Sequence, residues 1–484
     1  MAQLQFYNTL SRQLETFTPG DQRRVSLYVC GPTVYDDPHL GHARCYITWD
    51  VLYRLLKAVY PNHAVIYARN ITDVDDKILN RAQEQGISPE ALTEHYTSRF
   101  NLAMQMLNVL PADENPQATQ HIAKMIEAIA SLLQKGYAYE ALSKNGDVYF
   151  DIAAYNADFA DSYPVLKGQT LAQLQAGARV EVNPDKKHPL DFALWKTVVP
   201  GESTALSWPV PWTQNLGRPG WHIECSAMNA AVFGDAPIDI HAGGADLMFP
   251  HHDCEIAQSQ AWHGESGTPF ARFWLHNGFV NVSGEKMSKS LNNFKTIYDV
   301  LEKFSANAVR YFLLQHHYRS PVDFTHEALQ AAENRVTKIN RLLKGIEPLS
   351  IPEQDDIAVL LNDLDTPKAL ALANQLLGQP ETLSRACALF RVMGFNLPLP
   401  VITGQLSGSV EVFGSARAEV TSDPLTLAWE IHGETLTLAQ WIEKRAEAKQ
   451  NKNWALSDQI RDALKALNVQ LNDNKDGTTS YELL

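Results

Sequence analysis

Four side chains of the metal-binding type lie far apart in this sequence. They are Cys30, Cys225, His251 and Glu255. If a helix starts just before His251, this histidine and Glu255 share one face, whereas His252 points about a hundred degrees away. Two thiolates, one imidazole and one carboxylate are ligand types that zinc prefers. Their wide separation leaves another interpretation open, namely two buried core cysteines and a His/Glu pair on a helix surface.

The tetrapeptide His39-Leu40-Gly41-His42 has residue types suited to binding phosphate. It lies where the first predicted strand turns into the first predicted helix, and the backbone N–H groups at a helix start attract anions. Gly41 allows close approach of a nucleotide, and both imidazoles can donate hydrogen bonds to phosphate oxygens. The alternative is a chance occurrence of this pattern at the start of a helix.

A second candidate phosphate site is the pentapeptide Lys286-Met287-Ser288-Lys289-Ser290. Lysine is a compact charge on a long flexible stem, so it can follow a phosphate as it leaves. The two lysines therefore predict a mobile phosphate clamp. The alternative is a solvated surface loop.

The pattern of apolar runs predicts the fold that positions these groups. Residues 24–30 and 63–68 are strand-like, and residues 41–60 between them have helical spacing. A strand, a helix and a strand in this order form a βαβ unit and predict a parallel α/β sheet. The sheet pattern resumes at 238–241. We therefore interpret the turn-rich stretch 117–212 as an insertion that splits the α/β domain.

The chain from 325 to 394 is predicted to be mostly helical. Thr325 is the expected N-cap of its first helix. The apolar face of that helix consists of Ala328, Leu329, Ala332, Val336, Ile339, Leu342 and Leu343. Basic residues recur at every third position of the same helix, namely Arg335, Lys338, Arg341 and Lys344. This stripe is either a surface for RNA phosphates or an ordinary solvated helix face.

The composition excludes several classes of protein. Hydrophobic residues make up 45% and charged residues 20%, which are values of an ordinary globular chain and not of a disordered or fibrous one. Five cysteines are too few for a disulfide scaffold. The opening residues lack the pattern of a signal peptide, and no apolar run is long enough to span a membrane. The formal net charge of −14 excludes a general nucleic-acid coat, although a local basic face can still bind RNA.

In this order, and about 245 residues apart, the two phosphate motifs resemble the paired signatures of class I aminoacyl-tRNA synthetases. The resemblance implies that an amino-acid carboxylate attacks the α-phosphate of ATP, giving an aminoacyl-adenylate and pyrophosphate, with Mg²⁺ bound to the ATP. Such chemistry depends on positioning and charge stabilisation. Asp246 is then a candidate for binding the ribose hydroxyls, while Gly243 and Gly244 leave room for adenine. A role of Asp246 as a helix cap stays open.

Four longer segments resemble the cysteinyl-tRNA synthetase family, and they are 28–36, 70–77, 220–228 and 246–258. The likeness runs from about residue 5 to 325 and returns at 438–479. It implies one Zn²⁺ per chain, with Cys30, Cys225, His251 and Glu255 as its ligands. It also implies a pocket for the substrate cysteine made by Gly31, Thr72 and Trp221.

A zinc ion makes chemical sense in a site that selects cysteine. Cysteine and serine differ by one atom, and packing differences of that kind supply only about 1–3 kcal/mol. A thiolate bonded to zinc supplies more, because an alcohol neither ionises nor bonds to zinc comparably. Zinc also lowers the pKa of the substrate thiol from roughly 8.5. We therefore expect a zinc ion that sorts substrates and does not activate water.

The expected fold class is α/β, with a Rossmann-like parallel-sheet catalytic domain split by an insertion, an α-helical domain and a small C-terminal α+β unit. The predicted segments are 1–116 (first half of the catalytic domain), 117–212 (insertion that contacts the acceptor end), 213–265 (second half of the catalytic domain), 266–323 (stem contact and the lysine motif), 324–394 (helical tRNA-binding domain), 395–430 (linker or short strands) and 431–484 (anticodon-binding-like unit).

The implied activity is that of a cysteine–tRNA ligase in the cytoplasm, a monomer whose partners are ATP, L-cysteine and tRNA(Cys). Two positions depart from the family pattern. Ser480 stands where the family usually has a base-stacking Trp, so Tyr481 is the candidate to stack instead. Asn292 stands where the lysine loop normally continues with Gly.

Two other functions stay open at this point. The first is a cysteine ligase of the same family that uses an amino-sugar acceptor, and the RNA-binding-like C-terminal unit argues against it. The second is a catalytically silent paralogue that binds zinc or RNA. The intact pairs His39 with His42 and Lys286 with Lys289 argue against this second function.

Overall fold

The structure is a computed structural model. It describes residues 3–143, 145–159, 163–166, 183–199, 201–263, 270–282, 284–286, 295–349, 352–397, 428–431, 434–451, 453–466, 469–473 and 479–483. The chain divides into two compact units. One comprises Met1–Leu342 with Glu347–Leu397, and the other Leu343–Ile346 with Pro398–Leu484. Most of the segment predicted as a linker at 395–430 lies outside the described residues.

The described strands are β1 (Gln5–Asn8), β2 (Gln13–Thr16), β3 (Arg24–Val29), β4 (Ala64–Arg69), β5 (Ala138–Glu140), β6 (Val148–Phe150), β7 (Phe192–Thr197), β8 (Trp208–Val210), β9 (Thr213–Pro219), β10 (Ile238–Gly244), β11 (Ala271–Asn277), β12 (Val280–Val282), β13 (Glu285–Lys286), β14 (Val322–Phe324), β15 (Ala428–Ile431), β16 (Glu434–Thr437), β17 (Val469–Asp473) and β18 (Thr479–Leu483).

The described α-helices are α1 (Leu40–Val59), α2 (Asp76–Gln85), α3 (Pro89–Met106), α4 (Ile122–Lys135), α5 (Ile152–Asp158), α6 (Trp221–Phe233), α7 (Asp253–His263), α8 (Ile297–Leu301), α9 (Ala306–Leu314), α10 (His326–Leu343), α11 (Gln354–Ile357), α12 (Thr366–Leu376), α13 (Leu383–Val392), α14 (Leu438–Gln450) and α15 (Trp454–Ala466). A π turn (Met248–His252) precedes α7, and 3₁₀ turns cover Ala118–His121 and Pro380–Thr382.

A four-stranded parallel sheet lies at the centre of the first unit, in the order β11-β10-β3-β4. Val25, Leu27, Tyr28 and Val29 of β3 have no exposed surface, which explains why this strand is mostly apolar and does not alternate. The chain leaves β3 towards β4 on one side and leaves β10 towards β11 on the other. The strand order therefore reverses between β3 and β10, where α/β sheets bind ligands beyond their carboxyl ends.

The insertion forms its own antiparallel sheet, in the order β5-β6-β7-β9-β8. Asn145-Gly146 lies in the hairpin between β5 and β6, and Ala138 pairs with Phe150 across it. Strand β9 pairs with both β7 and β8, so this sheet extends beyond residue 212, where we placed the end of the insertion. Residues 213–219 show no alternation of apolar and polar side chains that would have assigned them to a sheet.

Helix α1 is buried on nearly all sides, since only six of its 20 residues are not buried. Its charged residues therefore need internal partners. Arg44 donates to the carbonyl oxygen of Leu313, near the end of α9, at 2.5 Å. It also donates to that of His317, which follows α9, at 2.7 Å. Asp50 accepts from the backbone N–H of Leu110 at 2.9 Å and pairs with Arg310. These buried groups fix α1 against α9.

Arg310 is the central member of this buried network. It donates to the carbonyl oxygens of Leu107 at 2.7 Å and Asn108 at 3.1 Å, and its guanidinium is fully buried against the Asp50 carboxylate. Burial lowers the pKa of Arg310 to about 10. Gly394 has a φ of +77°, and a side chain there would lie 1.8 Å from the Arg310 guanidinium, so the glycine is needed for this close approach.

Helix α10 differs from the predicted helix in two respects. Thr325 caps it as expected, because its Oγ1 accepts from the N–H of Ala328 at 3.1 Å. Leu342, predicted on the apolar face, is 36% exposed, since it lies one step round the helix from the buried Leu343. Lys344, predicted as part of the helical basic stripe, lies beyond the end of the helix at Leu343.

The second unit contains the helices α14 and α15 and the strand β17. Its core consists of Trp441, Ile460, Leu464, Val469 and Leu471. Sequence patterns did not predict the hairpin of β15 and β16 or the strand β18, which pairs antiparallel with β17. None of the described helices is both long enough and apolar enough to cross a membrane.

We expect Arg310→Met to lower the free energy of unfolding by about 3–5 kcal/mol, because the buried Asp50 carboxylate loses its fully buried partner and keeps only the partly exposed Arg54, whose Nε lies 3.0 Å away. The measurement is urea unfolding followed by circular dichroism. The control is Arg81→Met, which removes an exposed ion pair with Glu84. Exposed ion pairs are screened by water, so the control should change the stability by at most about 1 kcal/mol. Equal effects of the two substitutions would contradict the role of Arg310.

Candidate active site and metal centre

The start of α1 is organised by its two histidines. His39 is the N-cap, and its Nδ1 accepts from the N–H groups of Gly41 at 3.0 Å and His42 at 3.4 Å. The Nδ1 of His42 accepts from the N–H of His39 at 3.1 Å, and the two rings stack with centroids 3.8 Å apart. Because both Nδ1 atoms accept, the proton of each neutral ring is on Nε2. Both histidines are thus set as Nε2–H donors.

The segment that follows the lysine motif returns to this helix start. The backbone N–H of Leu40 donates to the carbonyl of Lys295 at 3.1 Å, and that of Ile297 donates to Pro38 at 2.9 Å. Lys286 lies in β13, whose backbone pairs with Asn281 of β12. Lys289 and Asn292 lie outside the described residues. These backbone hydrogen bonds therefore place residues 295–297 beside residues 38–40.

Gly243 and Gly244 are the last residues of β10, and Asp246 follows two residues later. A side chain on Gly243 would come within 3.0 Å of His252, and one on Gly244 within 2.4 Å of the Asp246 carboxylate. The two glycines thus let neighbouring side chains approach the strand end. Asp246 is exposed, and the residue before the π turn is Leu247, so Asp246 is not a helix cap.

The structure brings the four predicted metal donors together from three places in the fold. Cys30 directly follows β3, and its N–H donates to Ala242 of β10 at 3.2 Å, which places it where the strand order reverses. Cys225 lies on α6, His251 in the π turn and Glu255 in the first turn of α7. One atom of each side chain lies within 4.8 Å of the others, and all four are buried.

The distances between these donors fit a single tetrahedral ion. The two Sγ atoms are 3.9 Å apart, Cys30 Sγ is 3.8 Å from Glu255 Oε1, and His251 Nε2 is 3.0 Å from the same oxygen. Zinc bonds of about 2.0–2.3 Å in tetrahedral geometry place ligand atoms about 3.3–3.8 Å apart. The observed separations differ from these values by a few tenths of an ångström, so the donor set fits zinc.

The electrostatics of the cluster favour a cation. Burial raises the pKa of the Cys30 thiol, whereas the hydrogen bond from Cys30 lowers that of Cys225. Burial opposes the charge of Glu255, but His241 and His251 outweigh it and hold the pKa of this carboxyl well below its ordinary value. Burial also opposes a charged His251, but Glu255 and Cys225 raise its pKa to about 10. The buried anions thus attract positive charge from the nearest ring.

The prediction that His252 points away from this cluster is wrong. Its Nε2 lies 3.3 Å from Cys30 Sγ. The predicted direction assumed a regular α-helix, whereas residues 248–252 form a π turn in which Phe249 has non-helical dihedral angles of −138° and 132°. A π turn holds more residues per turn than an α-helix, so side chains step round it by a smaller angle. His251 and His252 can therefore both face the cluster.

A second donor group overlaps the first, since Cys30 and Glu255 also lie close to His241 and His252. The two groups use different oxygens of one carboxylate. Glu255 Oε1 faces His251, and Oε2 is 2.6 Å from His241 Nε2, a hydrogen-bond distance. His241 therefore orients Glu255 through the carboxylate oxygen that does not face His251. Sequence reasoning missed this role, although a histidine in a buried central strand was the available signal.

Further buried histidines surround the cluster. His252 Nδ1 is 2.7 Å from His276 Nε2, and His222 Nδ1 is 3.0 Å from His251 Nδ1. Burial lowers the pKa values of His222 and His276 to about 3 and that of His252 well below its ordinary value. These rings are neutral, so they provide hydrogen bonds and no competing positive charge.

Of the residues predicted to hold the substrate cysteine, Trp221 contacts one metal donor and Gly31 directly follows another. Trp221 stacks on His251, with ring centroids 4.3 Å apart, and is 37% exposed. Thr72 is buried, and its backbone pairs with Thr33 beyond the end of β3. The N–H of Gly31 donates to the side chain of Asn70 at 2.7 Å. The structure therefore places an exposed aromatic ring and two strand ends around the thiols.

The structure describes the side chains of the four basic residues predicted to face RNA and the backbone of Tyr481. Arg335, Lys338 and Arg341 are exposed on α10, and Lys344 is exposed beyond it. The backbone of Tyr481 lies in β18, opposite Leu471 of β17. The three helical cations form an accessible basic stripe on the first unit.

Comparison with known proteins decides the family. Residues 16–334 match the model of the tRNA synthetases class I (C) catalytic domain. The chain is 43% identical to the cysteine–tRNA ligase of Chromobacterium violaceum over 98% of this chain and 99% of that protein. It is 42% identical to that of Methylocella silvestris over 99% of both. This chain belongs to the cysteine–tRNA ligase family. The expectations of this family and of an aminoacyl-tRNA ligase are thereby confirmed.

Solved structures of class I synthetases share the fold. The methionyl-tRNA synthetase of Mycobacterium tuberculosis, solved with methionyl-adenylate, has a TM-score of 0.55 at 16% identity and covers 77% of this chain and 89% of its own. The LeuRS of Agrobacterium radiobacter K84, solved with tRNA and LeuAMS, has a TM-score of 0.57 at 12% identity, with coverages of 78% and 83%. The predicted Rossmann-like α/β class is confirmed for this member of the cysteine–tRNA ligase family.

We expect Cys225→Ser to abolish stoichiometric zinc binding, because a hydroxyl does not replace a thiolate as a zinc ligand. The measurement is metal content by mass spectrometry after dialysis, with about one zinc per wild-type chain expected. The matched control is Cys254→Ser. Cys254 is also buried on this side of the fold, but its Sγ contacts the Tyr163 hydroxyl at 3.6 Å and lies outside both donor groups. Full zinc in the Cys225 variant would contradict the donor set.

Proposed function

We propose that this protein is a cysteine–tRNA ligase with a zinc-dependent cysteine pocket. The carboxylate of L-cysteine attacks the α-phosphorus of ATP, and the bond to pyrophosphate breaks to give cysteinyl-adenylate. A hydroxyl of the 3′ adenosine of tRNA(Cys) then attacks the carbonyl carbon, and AMP leaves. The observation that carries the proposal is the cluster of two thiols, one imidazole and one carboxylate at the point where the strand order of the sheet reverses.

The phosphates of ATP would lie at the start of α1. His39 and His42 carry Nε2 protons there, and Gly41 has no side chain to block the approach of the phosphates. Lys286 and Lys289 would stabilise the negative charge that develops on the leaving pyrophosphate. Mg²⁺ would be bound to the ATP. Charge stabilisation by preorganised groups is the main demand of this reaction.

The nucleoside would lie at the carboxyl end of β10. The exposed carboxylate of Asp246 can accept hydrogen bonds from the ribose hydroxyls. Gly243 and Gly244, which have no side chains of their own, are proposed to line the adenine site.

The substrate thiol would be selected by zinc held by Cys30, Cys225, His251 and Glu255. Bound there, zinc would supply a Lewis acid that bonds a thiolate far better than an alcohol and lowers the pKa of the thiol. The protein's own residues complete the pocket. Trp221, stacked on His251, shields one side from water, and Gly31 and Thr72 offer backbone and hydroxyl groups to the polar part of the amino acid.

The tRNA would extend along the rest of the chain. The antiparallel sheet of the insertion is proposed for the acceptor end, the stripe Arg335, Lys338 and Arg341 for phosphates, and the C-terminal unit with Tyr481 for the anticodon. Lys344 would add a further phosphate contact beyond the helix. Exposed cations bind RNA chiefly by releasing counterions.

The decisive assay is ATP–pyrophosphate exchange followed by charging. We expect exchange that depends on cysteine and is at least about a hundredfold weaker with serine, because selection rests on a metal–sulfur bond and not on packing alone. The purified enzyme should then transfer cysteine to tRNA and not to an amino-sugar. Preferential transfer to an amino-sugar, equal activation of serine, or no exchange at all would each overturn the proposal.

We expect the triple variant with Arg335, Lys338 and Arg341 changed to Gln to bind tRNA more weakly with normal pyrophosphate exchange. The slope of log K against log salt concentration should fall by about 2–3, because three phosphate contacts are lost. The control changes three exposed cations elsewhere on the same unit, Arg23, Lys57 and Lys368, to Gln. It has the same net charge and should keep the wild-type slope. Equal slopes in both variants would show that the stripe is an ordinary solvated helix face and does not contact tRNA.

A further inference from the structure

Asn70 directly follows β4 and is buried to 1% exposure, but the proposed function gives it no role. Its position is at the carboxyl end of the sheet, beside the end of β3. The adjacent strands place it next to residues on which the cysteine pocket depends.

One carboxamide contacts three parts of that site. Asn70 Oδ1 accepts from the N–H of Gly31 at 2.7 Å, and Nδ2 donates to Thr72 Oγ1 at 3.2 Å. Oδ1 also lies 3.7 Å from Cys225 Sγ. The side chain therefore joins the ends of two strands to the helix that carries a metal donor.

We infer that Asn70 is a positioning residue for the substrate cysteine, an inference that rests on the proposed function. Asn70 holds Gly31 in place through its N–H and orients the hydroxyl of Thr72. The Gly31 carbonyl and the Thr72 hydroxyl would then contact the polar part of the amino acid. It acts through these two residues and does not itself take part in the chemical step.

The amide group suits this task because it combines an acceptor and a donor at a fixed separation. The Gly31 N–H requires an oxygen on one side, so the NH₂ group must face Thr72. Thr72 Oγ1 accepts that proton, and its own hydroxyl proton must then point away from Asn70. The orientation of the Thr72 hydroxyl is thus set before the substrate binds.

The backbone around Asn70 is held without its side chain. The N–H of Thr72 donates to Pro32 at 3.0 Å, and that of Val34 donates to Thr72 at 3.2 Å. A side chain on Gly31 would lie 1.5 Å from the Asn70 carbonyl oxygen, so the two segments are already in contact. Replacement of the Asn70 side chain therefore changes hydrogen bonding in the pocket more than the course of the chain.

The test uses two variants in pyrophosphate exchange. Asn70→Asp has the same shape and keeps an acceptor for Gly31, but it cannot donate to Thr72, and Asn70→Ala loses both contacts. For both variants we expect the KM for cysteine to rise about tenfold or more, since buried partners are left unpaired. The KM for ATP should stay within about twofold, because the proposed phosphate-binding residues at the start of α1 are separate from these contacts. Each variant should retain wild-type zinc content.

The matched control is Asn307→Asp, another buried asparagine of the same unit whose amide bonds both backbone groups of Asn396, at 2.6 and 3.0 Å. It should lower stability without changing the KM for cysteine. An unchanged KM for cysteine in Asn70→Ala, an equal rise in the control, or loss of zinc in both Asn70 variants would overturn the inference. These outcomes require an active wild-type enzyme. Absence of cysteine-dependent exchange in the wild type would instead overturn the proposed function.

Discussion

The need to neutralise buried negative charge governs this structure. Two thiols and a carboxylate are enclosed at the carboxyl end of a parallel sheet, where water cannot solvate their charged forms. Ionised groups in such surroundings require a partner of opposite charge. In the protein alone, His251 provides part of that positive charge, because Glu255 and Cys225 raise its pKa and so favour the protonated ring. A divalent ion would neutralise this charge more fully, because both cysteines and Glu255 could then be negatively charged at the same time.

The fold brings this cluster and the nucleotide motifs to the same edge of the sheet. The order of the strands reverses between β3 and β10, and Cys30 directly follows β3 while Gly243 and Gly244 end β10. Helix α1 starts from the connection after β3, so its two histidines belong to the same edge. The buried contacts of Arg44 and Asp50 hold α1 against α9. Rigid support of this kind suits a reaction that depends on positioning.

Much of this arrangement could be predicted from local patterns. Apolar runs predicted β3, α1 and β4 to within one or two residues, because a strand buried on both faces and a helix buried on most sides leave few polar positions. The parts that were missed depend on residues far apart in the chain. The π turn redirected His252, and His241 and Asn70 acquire their roles only through partners on other elements. The hairpin of β15 and β16 and the strand β18 lacked an alternating pattern.

The central claim is that sulfur of the substrate joins two sulfurs of the protein around one zinc ion. X-ray absorption at the zinc edge of the purified enzyme tests it most directly, because the spectrum counts sulfur neighbours and measures their distances. The account predicts two sulfurs at about 2.3 Å in the free enzyme and three after saturation with cysteine, with no change on addition of serine. A sulfur count that stays at two with cysteine, or a preparation that binds no zinc, would contradict the account.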